Sequence, residues 1–272
     1  MVNLTYHVRS STNDGFEASS KKMLVECGHG YLLALLWDRG QGKVDSLELY
    51  HGVHEWPVAW GEILQQSVLL NFRNIETEVL FNGERVLPTP SFLYGPGQMA
   101  GQIAALHGRA EGVRQGGDIL LDEGMVMAWE APNEVYETLC SHFQVVQFRS
   151  LASLLVSIGR KPGGTDNRGL MVVSGPLAWF CIWKAETLLL VRSIATKEPE
   201  DVAYFMLNAT QCWGLEPGEV YWQVGGFLEP GSPLWAATER FFPHFLPIES
   251  CLPGNQPMPG YNIGHLAQYL AG

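Results

Sequence analysis

Nowhere do the 272 residues run apolar for the ~20 positions that a bilayer-crossing helix needs. The N-terminus, MVNLTYHVRSSTNDGFEASSKK, is too polar for a signal peptide, so a cytoplasmic protein is expected. Basic residues are scarce: 17 against 28 acidic ones give a net charge of −11. That balance repels phosphate backbones and anionic membranes, which argues against nucleic-acid binding and membrane insertion. Cysteine is sparse and scattered. Cys27, Cys140, Cys181, Cys212 and Cys251 contain no CxxC unit, and an odd, dispersed set suits a reducing compartment better than a disulfide framework. There is no GxSxG elbow, no HExxH and no Walker A lysine, so three common catalytic devices are missing. Gly163-Gly164-Thr165 has phosphate-loop composition without a following helix and reads as linker.

What is present is apolar mass, 46% of the chain, and a pattern written twice. Met23 to Glu26 is a short strand, and Cys27 to Gly30 supplies turn residues. Tyr31 to Trp37 is a short run almost wholly apolar, as in a strand covered on both faces. Asp38 to Gly42 is a hairpin turn, and Val44 to Tyr50 alternates as a third strand. Trp56, Trp60, Ile63 and Leu64 lie on one helical face, with Pro57 tolerated in the first turn. Ile75 to Phe81 alternates again, closed by Asn82-Gly83. About 147 residues later the order recurs: strands over Leu170–Val173, Leu177–Trp183 and Thr187–Ile194, a helix starting near Pro199 with Val202, Phe205, Met206 and Ala209 as its buried stripe, and a strand over Val220–Val224.

Between the repeats, strands are expected at Met125–Trp129 and Val145–Phe148, and helices from Asn133 and over Leu151–Ile158, completing the first unit. Residues 161–168 form a linker rich in breakers. The organisation expected is therefore a first subdomain over 1–160, a second over 169–250, and a Pro/Gly-rich tail with a short helix over 251–272. Residues 95–117 form a glycine-rich insertion: a short helix over Gln98–Leu106, then a loop made locally basic by Arg109 and Arg114. Nine tryptophans are many for this length; most suit a core, and a minority on one face would make a partner surface.

A hairpin, a third strand, a crossover helix and a parallel strand open a ribonuclease H-like unit. The pattern written twice predicts an α/β fold of two such subdomains in an actin-like ATPase arrangement, with a cleft between them. The chain resembles a bacterial domain-of-unknown-function family with that fold. The likeness rests on Trp129-Glu130-Ala131-Pro132-Asn133-Glu134-Val135-Tyr136, on Glu198 to Asn208, and on Val224-Gly225-Gly226, and spans roughly residues 5 to 250. It implies a fold and no established activity.

An actin-like ATPase needs turns whose amides cradle phosphates and carboxylates that hold Mg²⁺ through water. The nucleotide-cleft candidates are Glu26, Gly28 and Gly30 in the first turn, Ser174 and Gly175 in the second, and Gly225-Gly226 after a late strand. With the glycines aligned, Val173 stands where the second turn needs an acid, and Pro176 removes an amide. All these glycines also serve as ordinary tight turns. His51 and His54 are the one close histidine pair, without an obvious third metal ligand beyond Glu55. A ribonuclease H-type nuclease needs several carboxylates on adjacent strands, and Glu26 and Glu48 are too few. The function expected is a non-catalytic scaffold that binds another protein, with no cofactor, no catalytic residue and no metal. The alternative is an Mg·ATP-binding protein, a slow ATPase or a small-molecule kinase.

Overall fold

The structure is a computed structural model and describes residues 1–9, 18–95, 97–160, 164–249 and 261–271. Its contacts divide the chain into two units. Among the described residues the first holds those up to Ser153, and the second those from Leu154 onward.

The first unit is built on a six-stranded sheet. Its strands are β1 (Asn3–Arg9), β2 (Lys21–Gly28), β3 (Gly30–Asp38), β4 (Lys43–Val53) and β5 (Glu76–Phe81). Helix α1 (Trp56–Gln66) crosses between β4 and β5 and buries Trp56, Ala59, Trp60 and Ile63. After β6 (Val86–Pro90), α2 (Met99–His107), β7 (Val113–Leu120), β8 (Met125–Pro132) and α3 (Asn133–His142), strand β9 (Val146–Ser150) completes the sheet. The order is β1-β4-β3-β2-β5-β9. The middle strands β2 to β4 pair antiparallel, whereas β5 joins β2, and β9 joins β5, in parallel. Strand β3 has seven consecutive fully covered residues from Tyr31 to Trp37, which explains its unbroken apolar run.

The second unit begins with α4 (Leu151–Gly159, counted here from Leu154). It continues with β10 (Asn167–Ser174), β11 (Leu177–Lys184), β12 (Thr187–Ala195), α5 (Pro199–Cys212), β13 (Val220–Gly226), α6 (Pro233–Glu239), β14 (Phe245–Pro247) and α7 (Gly264–Ala271). The sheet order is β12-β11-β10-β13-β14. Strands β10 to β12 pair antiparallel, while β13 and β14 add in parallel. This is the order β4-β3-β2-β5-β9 of the first unit, strand for strand. One face of the second sheet packs Met171, Val173, Phe180, Trp222 and Val224 against Val202 and Met206 of α5 and Trp235 of α6. Trp179 and Trp183 are buried as well, whereas Trp213 is exposed.

The structure corrects two expectations and adds elements at two places where the sequence had suggested none. Strand Met125–Pro132 does not complete the main sheet; it is the centre of a separate three-stranded sheet, β6-β8-β7. The basic stretch read as loop contains strand β7, whose glycines hold ladder positions because Gly116 lies under the Trp129 ring. A Cβ on Gly116 would come 2.0 Å from that ring. The polar N-terminus forms an edge strand on β4. Finally, β14 and α6 follow Gly226, where no element was expected. The tail over 251–260, Lys161 and Gly163 lie outside the described residues.

Candidate functional site

The first turn is a hairpin in which Gly28 pairs with Tyr31, so only His29 and Gly30 stand outside the β2–β3 ladder. Gly30 has φ +83°, which glycine adopts without steric cost. Gly28 closes the strand rather than forming the bend. Its missing side chain makes room for the Tyr31 ring, since a Cβ at 28 would lie 1.9 Å from Tyr31 Cε1. Lying across the glycine, Tyr31 delivers its hydroxyl to Glu26, which accepts a hydrogen bond from it. Asn82 Nδ2 donates to the same carboxylate oxygen at 3.2 Å and to the Tyr31 oxygen at 2.7 Å. Glu26 is fully buried. Both donors meet one carboxylate oxygen and tie Glu26 to the start of β3 and to the residue after β5.

The second turn is tighter in chemistry. Ser174 pairs with Leu177 and leaves Gly175-Pro176 as the loop, with Gly175 at φ +60°. Glycine first in a two-residue loop suits a hairpin of the II′ kind. Pro176 has no N–H, so of the two loop amides only that of Gly175 exists. The Ser174 residue is 1% exposed.

The two turns align through one backbone contact. Asn82 N donates to the Cys27 carbonyl at 2.9 Å, and Phe227 N donates to the Val173 carbonyl at 2.7 Å. Cys27 therefore corresponds to Val173, and Glu26 to Val172 rather than to Val173. Hairpin register agrees, matching Gly28 with Ser174 and Tyr31 with Leu177. The entire polar group Glu26, Tyr31 and Asn82 becomes Val172, Leu177 and Phe227 in the second unit.

Gly225-Gly226 ends β13, and its backbone is already occupied. Gly226 N donates to the Asn262 carbonyl at 2.8 Å, and Asn262 N donates back to the Gly226 carbonyl at 2.7 Å. A Cβ at Gly226 would stand 1.9 Å from the Val173 carbonyl oxygen, and the residue has φ +79°. Gly225 faces Ile248 and His265, 3.1 and 3.3 Å from where a Cβ would be. At Gly226 the missing side chain allows strand β10 and the segment before α7 to approach, a packing role for that glycine.

No three His, Cys, Asp or Glu side chains gather as metal ligands among the described residues. His51 Nδ1 lies 2.9 Å from Thr5 Oγ1. The four described cysteines are free, and burial pushes the Cys27 and Cys181 thiols far above their ordinary pKa, so neither is a nucleophile at neutral pH. A cavity of about 270 Å³ does open in the second unit, lined by Arg168, Leu170, Trp183, Tyr221, Gln223 and Leu246 among others. It lies at the N-terminal ends of β10 and β13, the opposite end from Gly175 and Gly226. Neither Arg168 nor Gln223 stood out in the sequence, because nothing local marks them.

The duplicated sheet defines an actin-like ATPase fold. A solved protein of unknown function from Bacteroides thetaiotaomicron VPI-5482 shares it, with a TM-score of 0.77 at 14% identity over 93% of this chain and 96% of that one. The PilM-PilN type IV pilus biogenesis complex contains a chain that matches with a TM-score of 0.52 at 11% identity, over 92% of this chain and 97% of that one. The particular family is the one described as "Protein of unknown function (DUF3822)", whose model matches residues 11–245, and the chain belongs to it. No curated protein matches the sequence. Among the described residues no helix is long and apolar enough to cross a membrane.

Proposed function

We propose that the chain is a degenerate actin-like protein of the cytoplasm that works by binding another protein, without nucleotide turnover. The observation that carries this reading is an exposed apolar group on the three-stranded sheet of the first unit. Pro90, Leu120 and Met125 meet in register at one end of that sheet. Just beyond them, Phe92 is 83% exposed and Leu121 85% exposed, with Leu93 and Ile119 also in solvent. Large side chains in water at one end of this small sheet, on the segments that flank the glycine-rich insertion, suit a protein contact. The buried Glu26 carboxylate and the proline in the second turn favour the same reading by leaving little for a metal-bound triphosphate. The free cysteines fit a reducing compartment. PilM, whose fold this chain shares, is found in a complex with PilN; that is analogy at the level of fold.

The test is capture from the native host with the wild-type chain and with Phe92→Ser/Leu121→Ser. Both side chains are exposed, so the variant's melting curve should stay within about 0.5 kcal/mol of wild type. The reading expects a protein enriched by the wild type and reduced tenfold or more by the variant. Identical recoveries from the two would contradict it.

A further inference from the structure

The internal duplication shows what the cavity of the second unit lacks. In the first unit, Lys22 lies on the face of β2 that also carries Leu24, and its Nζ pairs with Glu78 of β5 at 2.6 Å. Arg149 Nη1 adds a second cation 3.7 Å from the same carboxylate. Glu78 is nearly fully buried. Register fixes the counterparts. Lys22 stands opposite Trp37, and Arg168 stands opposite Trp183. Leu24 stands opposite Glu78, and Leu170 stands opposite Gln223. The second unit thus keeps the cation, as Arg168, and the tryptophan beside it, but replaces the carboxylate with the neutral amide of Gln223. The cavity lies between these positions.

Arg168 is held firmly in place. Its Nη1 donates to the Gly159 carbonyl at 2.6 Å and its Nη2 to the Ala185 carbonyl at 3.0 Å. Its charge lies over the Trp183 ring at 5.9 Å. Its Nε–H is shielded from solvent and has no hydrogen-bond partner, as is true of Trp183 Nε1–H next to it. Burial lowers the guanidinium pKa, and Asp166 pulls it the other way. Asp166 also lines the cavity but is exposed and makes no ion pair with Arg168. A part-buried guanidinium without a carboxylate costs stability, and an anion brought from outside removes that cost. The rest of the lining sets the ligand's shape. Tyr221 and His244 stack with centroids 4.4 Å apart and planes 18° apart, giving a flat wall, and Leu170 and Leu246 are apolar. The volume is slightly under the range for drug-sized ligands.

We propose that this cavity binds a small carboxylate with a flat apolar body, whose charge takes at Arg168 the place that Glu78 takes at Lys22. The site shares no residue with the partner surface or the nucleotide turns, so its failure leaves the proposed function untouched.

The test titrates the full chain with benzoate, with benzamide as the neutral isostere. Saturable benzoate binding is expected, at least tenfold tighter than benzamide and weakened tenfold or more in Arg168→Gln. Gln223→Glu restores the missing carboxylate within the chain. Its melting temperature should rise without ligand, and benzoate should no longer bind. This second variant keeps the test decisive if Arg168→Gln fails to fold. No saturable benzoate binding to the wild-type chain overturns the proposal, as does equal affinity for benzoate and benzamide, or undiminished benzoate binding by Gln223→Glu.

Discussion

Gly226→Ala is expected to cost about 4 kcal/mol or more, a large part of the stability of a typical domain. Two causes add. The residue has φ +79°, which costs an L side chain about 1–2 kcal/mol. The new Cβ would also lie 1.9 Å from the Val173 carbonyl oxygen, with Val173 C at 2.8 Å and N at 2.9 Å. These are backbone atoms of the adjacent strand and cannot swing away. Relief requires β10 and β13 to part, which breaks the parallel ladder and the Asn262 bridge at once. Gly231→Ala is the control, because it has φ +81° and nothing within 4 Å of the new atom. Denaturant unfolding should show a loss of about 1–2 kcal/mol for the control and at least twice that for Gly226→Ala. Equal losses would show that the close approach does not constrain this glycine.

Glu26→Ala is expected to cost about 3 kcal/mol or more. The substitution removes a buried carboxylate, leaves a cavity, and takes the acceptor from the Tyr31 hydroxyl. Asn82 still reaches the Tyr31 oxygen, which softens the loss without replacing the acceptor. Tyr31→Phe should cost about 1–2 kcal/mol, since a buried acceptor loses its hydrogen bond. The two side chains share one network, so the double variant should fall short of the sum by about 1 kcal/mol. Strict additivity would mean that the Tyr31–Glu26 bond does not define the role of Glu26. That role matters for function, because a structural acid loses stability on substitution whereas a metal-holding acid loses ligand.

The strands and helices of the repeat were legible because each is simple in composition. Tyr31–Trp37 is an apolar run between turn residues, and the α1 face recurs at helical spacing. The small sheet was not legible, for a physical reason. Val86–Pro90 carries two prolines, and β7 carries Gly116 and Gly117, so both look like loop. Their place in a ladder depends on Trp129 filling the space over Gly116, a contact across strands that no local pattern encodes. Edge strand β1 alternates between exposed and half-covered residues along its length, which leaves little apolar signal.

The site divides in the same way. Glu26 and the glycines could be picked out by residue type. What they do depends on distant residues: Asn82, which is 56 positions from Glu26, and Asn262, which closes over Gly226. The exchange of Glu78 for Gln223 became visible only once hairpin register had aligned the two halves. Aligning glycines in the sequence put Val173 opposite Glu26, one residue from the true counterpart, because Gly28 ends a strand and Gly175 begins a loop.

Titration of the wild-type chain with Mg·ATP separates a structural use of the two turns, as proposed, from a nucleotide-binding one. Turns that serve the fold give weak or no binding and no hydrolysis above background, with no shift in melting temperature at millimolar Mg·ATP. A ligand at about 100 times its Kd would add about 2.7 kcal/mol, which is easily seen. Micromolar affinity, lost in a Glu26→Ala chain that remains folded, would show that the first turn binds nucleotide and make the ATP-binding alternative the better reading.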